Sequence, residues 1–472
     1  MVSRLTVGDF AFYAAGAFLF GILAASLAWN IVIVIVMVAT SAAVILTFCR
    51  MSGRWKLAVF FIDGVFAGMF YYHAYVDLAA SRVNLPIGKT VSFSAIVTDE
   101  PKLSERFDLL TARAEPPFSG TFSIFADPGS DFHYGDEVRV TGTVSPPRQA
   151  GDDPAIFPKN IEFISAGHGF WLRAVLISFK SDIAEKFDAV LPADEASLLG
   201  GITIGGTDGM AADLKNEMAL SGTSYVATMY GYKISVIVFI VVELFGGFVA
   251  RRIRVCCAIA LIILFVMMVG LEPSALRAGI MACMALVARE IGRTRGMRNA
   301  ITLTAAAMSL WDPTLLVQAS FALSFLSLLG IAYVGPALKR AFGWDGPRTK
   351  EDTWGWRSAV IVPTASLLAI LPVALSAFGR FSLSAFASNI LIFPTIPPTI
   401  FLGCMIAFLA CFSLLAAFFV AKVASAALWY QLGIIKLFSI ATIPIPPMLG
   451  SFWPAALYYA ALALFIYRYS QP

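Results

Sequence analysis

Three apolar runs near the start of the chain, Asp9–Trp29, Ile31–Cys49 and Lys56–Val76, are each long enough to cross a bilayer as a helix. The hydrocarbon core is about 30 Å thick, which about 20 apolar residues span. Inside it every backbone N–H and C=O must find a partner within the protein, so helices or a closed barrel are the available solutions. The composition agrees, with 59% hydrophobic and only 14% charged residues. Met1–Arg4 resembles the basic start of a signal peptide and Ala24–Ala28 is rich in small residues, but a second apolar run follows at once, which favours an anchor over a cleaved leader.

Basic residues between the runs set the expected orientation. Arg50, Arg54 and Lys56 form a loop without acids, which the positive-inside rule places in the cytoplasm and residues 77–225 outside. Arg251, Arg252 and Arg254, then the four arginines of Arg289–Arg298, then Lys339–Arg357 fall on the inner side by the same parity. This requires Asn299–Trp311 and Leu315–Val334 both to cross, although the first is short and ends at Trp311-Asp312-Pro313, leaving a re-entrant element as the alternative. Ser382–Val420 is interrupted by Pro394, Pro397 and Pro398 and reads as two crossings or a broken helix plus one, with weaker runs at Val423–Ile440 and Pro454–Tyr467. The expected fold class is a polytopic α-helical membrane protein of about 11 or 12 membrane elements with an inserted small β-barrel.

The insert announces itself by a change of period. Thr90–Val97, Asp108–Ala114, Thr121–Ala126, Glu137–Val144 and Asn160–Ile164 alternate apolar and polar residues and are separated by turn sequences, which predicts five strands and an OB-like barrel. Phe93, Phe107, Phe122, Phe125 and Tyr134 read either as barrel core or as stacking platforms for bases. Residues 81–170 hold twelve acids against eight bases, a balance that repels a polyanion. From Phe170 to Leu191 apolar residues recur at helical spacing opposite charged ones, an amphipathic helix expected on the outer membrane surface or against the insert. The expected domains are residues 1–78, three membrane helices; 79–168, the barrel; 169–192, the amphipathic helix; and 193–472, a helical transport domain.

The six cysteines, Cys49, Cys256, Cys257, Cys283, Cys404 and Cys411, all lie in or beside apolar runs, so no disulfide framework is expected. The histidines His73, His133 and His168 have no partner at ligand spacing, and neither metal nor cofactor is expected. The segment Leu198–Ser235 is polar and glycine-rich yet runs into a membrane span. Gly205 and Gly206 give a turn, Met210–Leu220 a short helix, and Ser221, Gly222, Thr223 and Ser224 offer polar groups at the mouth of the bilayer.

At this point the chain resembles the ComEC family of competence proteins, bacterial inner-membrane proteins that pass single-stranded DNA into the cytoplasm. Further matches are Pro273-Ser274-Ala275-Leu276-Arg277 opening a Met- and Ala-rich helix, Asp312-Pro313 before Phe321-Ala322-Leu323-Ser324-Phe325, and Phe378-Gly379-Arg380-Phe381-Ser382 before Asn389 and Pro394. The family's Ser-Gly-x-His appears here as Met229-Tyr230-Gly231-Tyr232-Lys233, with the histidine lost and a lysine nearby. Many members also carry a metallo-β-lactamase-like domain; the sequence ends at Pro472 without one, so the resemblance implies a separate nuclease.

The resemblance implies an inner-membrane channel that threads DNA without catalysis, its barrel extracytoplasmic. A DNA receptor outside and a cytoplasmic motor or DNA-binding protein inside would be its partners beside the lipid membrane. A strand with a charge on every nucleotide needs a hydrated path, and the candidate lining is Gly222, Thr223, Ser224, Tyr225, Tyr230, Tyr232, Lys233, Ser235, Ser274, Arg277, Gln318, Ser324 and Asn389. It would lie on helices beginning at Tyr225, Ser274, Leu315 and Ser382. Gly205, Gly231, Pro273, Asp312, Pro313, Phe321, Phe325, Gly379 and Pro394 are the expected structural positions.

For Lys233 and Arg277 a rival reading pairs them with Glu243, Glu272 or Asp63, since a charge within a span seeks a partner or a cavity. The serines and threonines read equally as small residues that let helices pack closely. Asp63 and His73 pair with other helices or couple protons. No phosphate-binding Gly-x-x-x-x-Gly-Lys-Ser/Thr loop occurs in the sequence, so energy would come from elsewhere. Two rival functions remain: a small-solute secondary transporter, which internal inverted symmetry would favour although the sequence shows none, and a membrane scaffold whose insert docks partners.

Overall fold

The computed structural model describes residues 7–27, 55–82, 84–102, 107–146, 153–206, 209–226, 229–241, 250–290, 297–344, 356–379, 381–442 and 445–470. The run Ile31–Cys49 and the residue Glu243 lie outside these, as do Arg50, Arg54 and parts of the basic loops at Arg289–Arg298 and Lys339–Arg357. The chain divides into two compact units: Met1–Ala174 with Ile280–Gln318, and Val175–Gly279 with Ala319–Pro472.

In the first unit α1 (Val7–Ser26) lies against α2 (Trp55–Arg82) around Ala17, Ile22, Ala24, Val65, Met69 and Tyr72. The approach is backbone to backbone: a Cβ on Gly68 would strike the Phe18 carbonyl oxygen, so only glycine fits there. The Tyr71 hydroxyl donates to the Leu310 carbonyl at 2.6 Å, tying α2 to a later helix of the same unit (Met297–Trp311).

Five strands, β1 (Thr90–Val97), β2 (Asp108–Ala114), β3 (Thr121–Ala126), β4 (Glu137–Ser145) and β5 (Ala155–Ser165), close into a barrel in the order β1-β2-β3-β5-β4. All pairs are antiparallel except β3 with β5, which fits an OB-like fold. Alternate residues point inward and are buried, Phe93, Ala95 and Val97 on β1, Phe122 and Ile124 on β3, Val138 and Val140 on β4. β5 begins five residues before the expected start because Pro158 masks its pattern. Proline lacks an N–H, and the strand passes it opposite a register irregularity at Thr141/Gly142. Asp108 is buried at the barrel end, where it accepts from the backbone N–H groups of Gly129 and Ser130 at 2.9 and 3.0 Å and so fixes the turn after β3.

A helix, α3 (Trp171–Val190), follows the barrel; its later turns bury Ile183, Phe187 and Val190. The second unit then contains α4 (Ala193–Thr203), α5 (Ala212–Ser221), α6 (Tyr230–Phe239) and α7 (Arg251–Met268). Next comes α8 (Pro273–Glu290), which begins in this unit and continues into the first, where α9 is the helix Met297–Trp311 already met. The second unit resumes with α10 (Ala319–Ala341), α11 (Trp356–Phe378), α12 (Ser384–Ala410), α13 (Leu414–Ile440) and α14 (Phe452–Ser470). Among the described residues α10 to α13 are the four helices long and apolar enough to cross a membrane. The protein is thus a helical membrane protein with an inserted small barrel.

Several helices break the hydrogen-bond ladder and repair it with side chains. Pro372 lies inside α11 and cannot donate to Leu368; the Tyr458 hydroxyl of α14 donates to that carbonyl instead, at 2.8 Å. Tyr459 caps the neighbouring Ala369 carbonyl at 3.0 Å. In α12 a single 3₁₀ turn, Phe393–Thr395, holds Pro394, and the Ile392 carbonyl it frees accepts from Thr395 Oγ1 at 2.7 Å. The region Ser382–Val420 therefore divides at the turn 411–413 and not at its prolines. Ser413 caps α13, accepting from the Ala416 N–H at 3.3 Å, so that helix starts at Leu414, nine residues before the expected Val423.

Candidate functional site

The polar segment that stood out in the sequence becomes a buried seam in the second unit. α5 ends at Gly222, whose φ of 70° is the left-handed cap that glycine adopts freely, while the Thr223 N–H reaches back to the Met218 carbonyl at 2.8 Å. The chain then turns through a 3₁₀ segment, Ser224–Val226, before α6; Ser224 is exposed, and Tyr225 lies in the same turn. A Cβ on Gly222 would collide with Ala385 of α12, so the cap and the span are in direct contact.

Two side chains of α12 stitch that contact. Ser388 Oγ donates to the Ser221 carbonyl at 2.8 Å, and Asn389 Nδ2 donates to the Gly222 carbonyl at 2.9 Å and to the Ala385 carbonyl at 2.7 Å. The hydroxyls of Ser221 and Thr223 are 2.8 Å apart, and Thr442 Oγ1, just after α13, donates to the Leu220 carbonyl at 3.2 Å. Ser221, Thr223, Ser388 and Asn389 are all buried. Asn389 Oδ1 is buried without a hydrogen-bond partner among the described residues, an acceptor held ready inside a span.

Lys233 lies buried within the second unit. It is 1% exposed; its Nζ donates to the Gly201 carbonyl of α4 at 2.8 Å and lies 4.5 Å above the Tyr230 ring. The Tyr230 hydroxyl donates in turn to Glu272 at 2.9 Å. Gly205, with a φ of 103°, allows this: a Cβ there would come within 2.8 Å of the Tyr230 ring. Of the acids proposed as partners, Glu272 therefore joins Lys233 through a shared tyrosine. Arg277 likewise donates from Nε to Ser324 Oγ at 2.6 Å and sits 5.8 Å over Phe325, whose ring stacks on Phe321 at 4.3 Å.

The remaining sequence candidates scatter. Tyr232 meets Phe393 edge to face at 5.3 Å, and Ser235 Oγ returns to the Gly231 carbonyl of its own helix. Pro273 and Ser274 open α8, and Gly379 caps α11 with a φ of 69°. Gln318 is exposed and belongs to the first unit, after the 3₁₀ turn Pro313–Val317 that Asp312 caps by accepting from the Thr314 N–H at 2.9 Å. On the barrel, Phe93 and Phe122 are core, whereas Phe125 is stacked on exposed Phe157 at 4.9 Å and touched edge-on by exposed Phe107. Tyr134 accepts from the Phe170 N–H.

Ser388 and Gln431 escaped the sequence reading. Gln431 of α13 is buried and donates to Thr395 Oγ1 at 2.8 Å and to Thr399 Oγ1 at 2.9 Å, fastening α13 to the irregular turn of α12. Its signal was present: a glutamine in the middle of a 27-residue span without acids.

Comparison with known proteins bears on residues 202–472, which match the family model described as competence protein. A curated relative, ComE operon protein 3 of Bacillus subtilis (strain 168), is 21% identical over 364 residues, covering 70% of this chain and 44% of the relative. The chain spans less than half the length of the relative it matches. No solved structure matches.

Proposed function

The chain belongs to the competence protein family, the family of ComEC, and from that premise we propose that it carries single-stranded DNA across the bacterial inner membrane during transformation. The observation that carries this reading is the buried polar seam where the turn Ser221–Thr223 meets Ser388 and Asn389. Irregular backbone at the depth of a span is tolerated against protein or along a hydrated cavity, and neutral hydroxyls and amides attract a phosphodiester without trapping it. In this reading the seam, closed here, parts for the strand: the hydroxyls of Ser221 and Thr223 then donate to phosphate oxygens, and Asn389 Oδ1 accepts from a base N–H. Lys233 and Arg277 hold the frame in this reading, each a cation joining two helices of the unit away from the seam.

The process is threading, with no bond made or broken by this chain. The barrel lies on the outer side, and a receptor, a nuclease and a cytoplasmic motor or DNA-binding protein are separate partners. Labelled DNA supplied to cells tests this. Deletion of the gene should abolish cytoplasmic label, and Asn389→Leu should lower it about tenfold at normal membrane level, the loss of about 1.4 kcal/mol of transit stabilisation. Uptake unchanged by the deletion would overturn the reading.

A further inference from the structure

The two sides of the seam are built unequally. On one side α12 is pinned along its length: a Cβ on Gly403 would strike Thr203 Oγ1 of α4, Gln431 of α13 donates to Thr395 and Thr399, and the Tyr430 hydroxyl donates to the Leu391 carbonyl at 3.3 Å. On the other side α5 has 10 residues, of which Leu214, Met218 and Ser221 are buried, while Asp213 and Asn216 stand exposed. A helix this short is marginal by itself, and one with so narrow a buried face is held by little packing.

Glycines in the left-handed region bracket α5. Gly205 and Gly206 precede it with φ of 103° and 89°, and Gly222 ends it at 70°. The segment also leaves and rejoins the unit at one point. The Gly201 carbonyl near the end of α4 accepts from Lys233, and Gly205 lies against the Tyr230 ring, so the residues before α5 and the first turn of α6 are joined. A segment whose ends are held together can move without displacing the helices on either side.

What fastens α5 across the seam is a set of side-chain donors. The Ser221 and Gly222 carbonyls, which the helix end leaves open, accept from Ser388 and Asn389 of α12, and the Leu220 carbonyl accepts from Thr442. We propose that α5 is a lid over the seam, hinged at Gly205-Gly206 and Gly222 and latched by Ser388, Asn389 and Thr442. The proposal rests on the reading of the seam as the DNA path for what the lid admits. When α5 lifts, the latch donors are uncovered, and phosphate oxygens of the strand take the place of the lid's carbonyls. This exchange of acceptors leaves no latch donor buried and unpaired in either state.

Hydrogen exchange of the full chain in nanodiscs, followed by mass spectrometry without DNA, tests the lid alone; the uptake assay tests the path, so either can fail by itself. Amides of α5 should exchange about tenfold faster than those of α4 and α12. Ser388→Ala combined with Thr442→Val, which removes two of the latch donors, should speed α5 about fivefold further and leave α4 and α12 within about twofold of the wild type. Thr442→Ser, which keeps the hydroxyl, should match the wild type. Exchange in α5 as slow as in α12, no change in the double variant, or an equal rise across α4, α5 and α12 would each overturn the lid.

Discussion

Lys233 illustrates how a charged residue within an apolar helix is stabilised. An ammonium removed from water needs compensation, and here it has a carbonyl and an aromatic face, with the tyrosine hydroxyl passing the connection on to Glu272. Removing the charge leaves the Gly201 carbonyl without its donor, a loss of about 1–3 kcal/mol. Lys233→Met, which keeps the stem, should lower the apparent melting temperature of the detergent-solubilised protein while leaving DNA uptake largely intact at equal protein level. Loss of uptake with no change in thermal stability would assign Lys233 to the path itself. Gly205→Ala should destabilise similarly by scanning fluorimetry, because its Cβ must enter the Tyr230 ring and its φ of 103° suits glycine alone.

Elements were legible in the sequence wherever a period was clean. The barrel strands β1, β2 and β3 fall where alternation puts them because each has one face in the core and one in water. Helices in lipid lose that contrast: the turn between α12 and α13 is Cys-Phe-Ser, as apolar as its flanks, so the prolines of α12 drew the expected break away from it. The seam at Ser221–Thr223 was readable because polar residues crowd a span entrance, whereas its α12 and α13 partners, Ser388 and Gln431, are single polar residues in apolar helices. Gln431→Leu tests that tie. Interhelical hydrogen bonds in membranes are worth about 0.6 kcal/mol on average, up to roughly 1.7, so the variant should assemble normally with only slightly reduced stability. Tyr458→Phe should cost more in the same thermal assay, since Leu368 would then lack both its helical donor, absent at Pro372, and its substitute.

For the whole molecule, function depends on which side of the membrane each part faces, and the charge distribution makes a definite prediction. The barrel insert is acidic in balance, whereas α10 ends in Lys339 and Arg340 and opens a loop of further basic residues. Short basic loops are retained inside, whereas a long domain is translocated as unfolded chain largely regardless of its charge, so the two should lie on opposite sides. An epitope tag after Gly88, in the exposed turn before β1, and another after Gly343, in the exposed turn following α10, leave the core of each unit untouched. A Cβ at either glycine would meet no neighbouring atom within 4 Å, so both turns have room for an insertion. On intact spheroplasts the first tag should bind antibody and the second should not; permeabilisation should expose both. The reverse pattern would put the barrel in the cytoplasm, where it could not receive DNA arriving from outside, and the direction of transport proposed for the seam would fail with it.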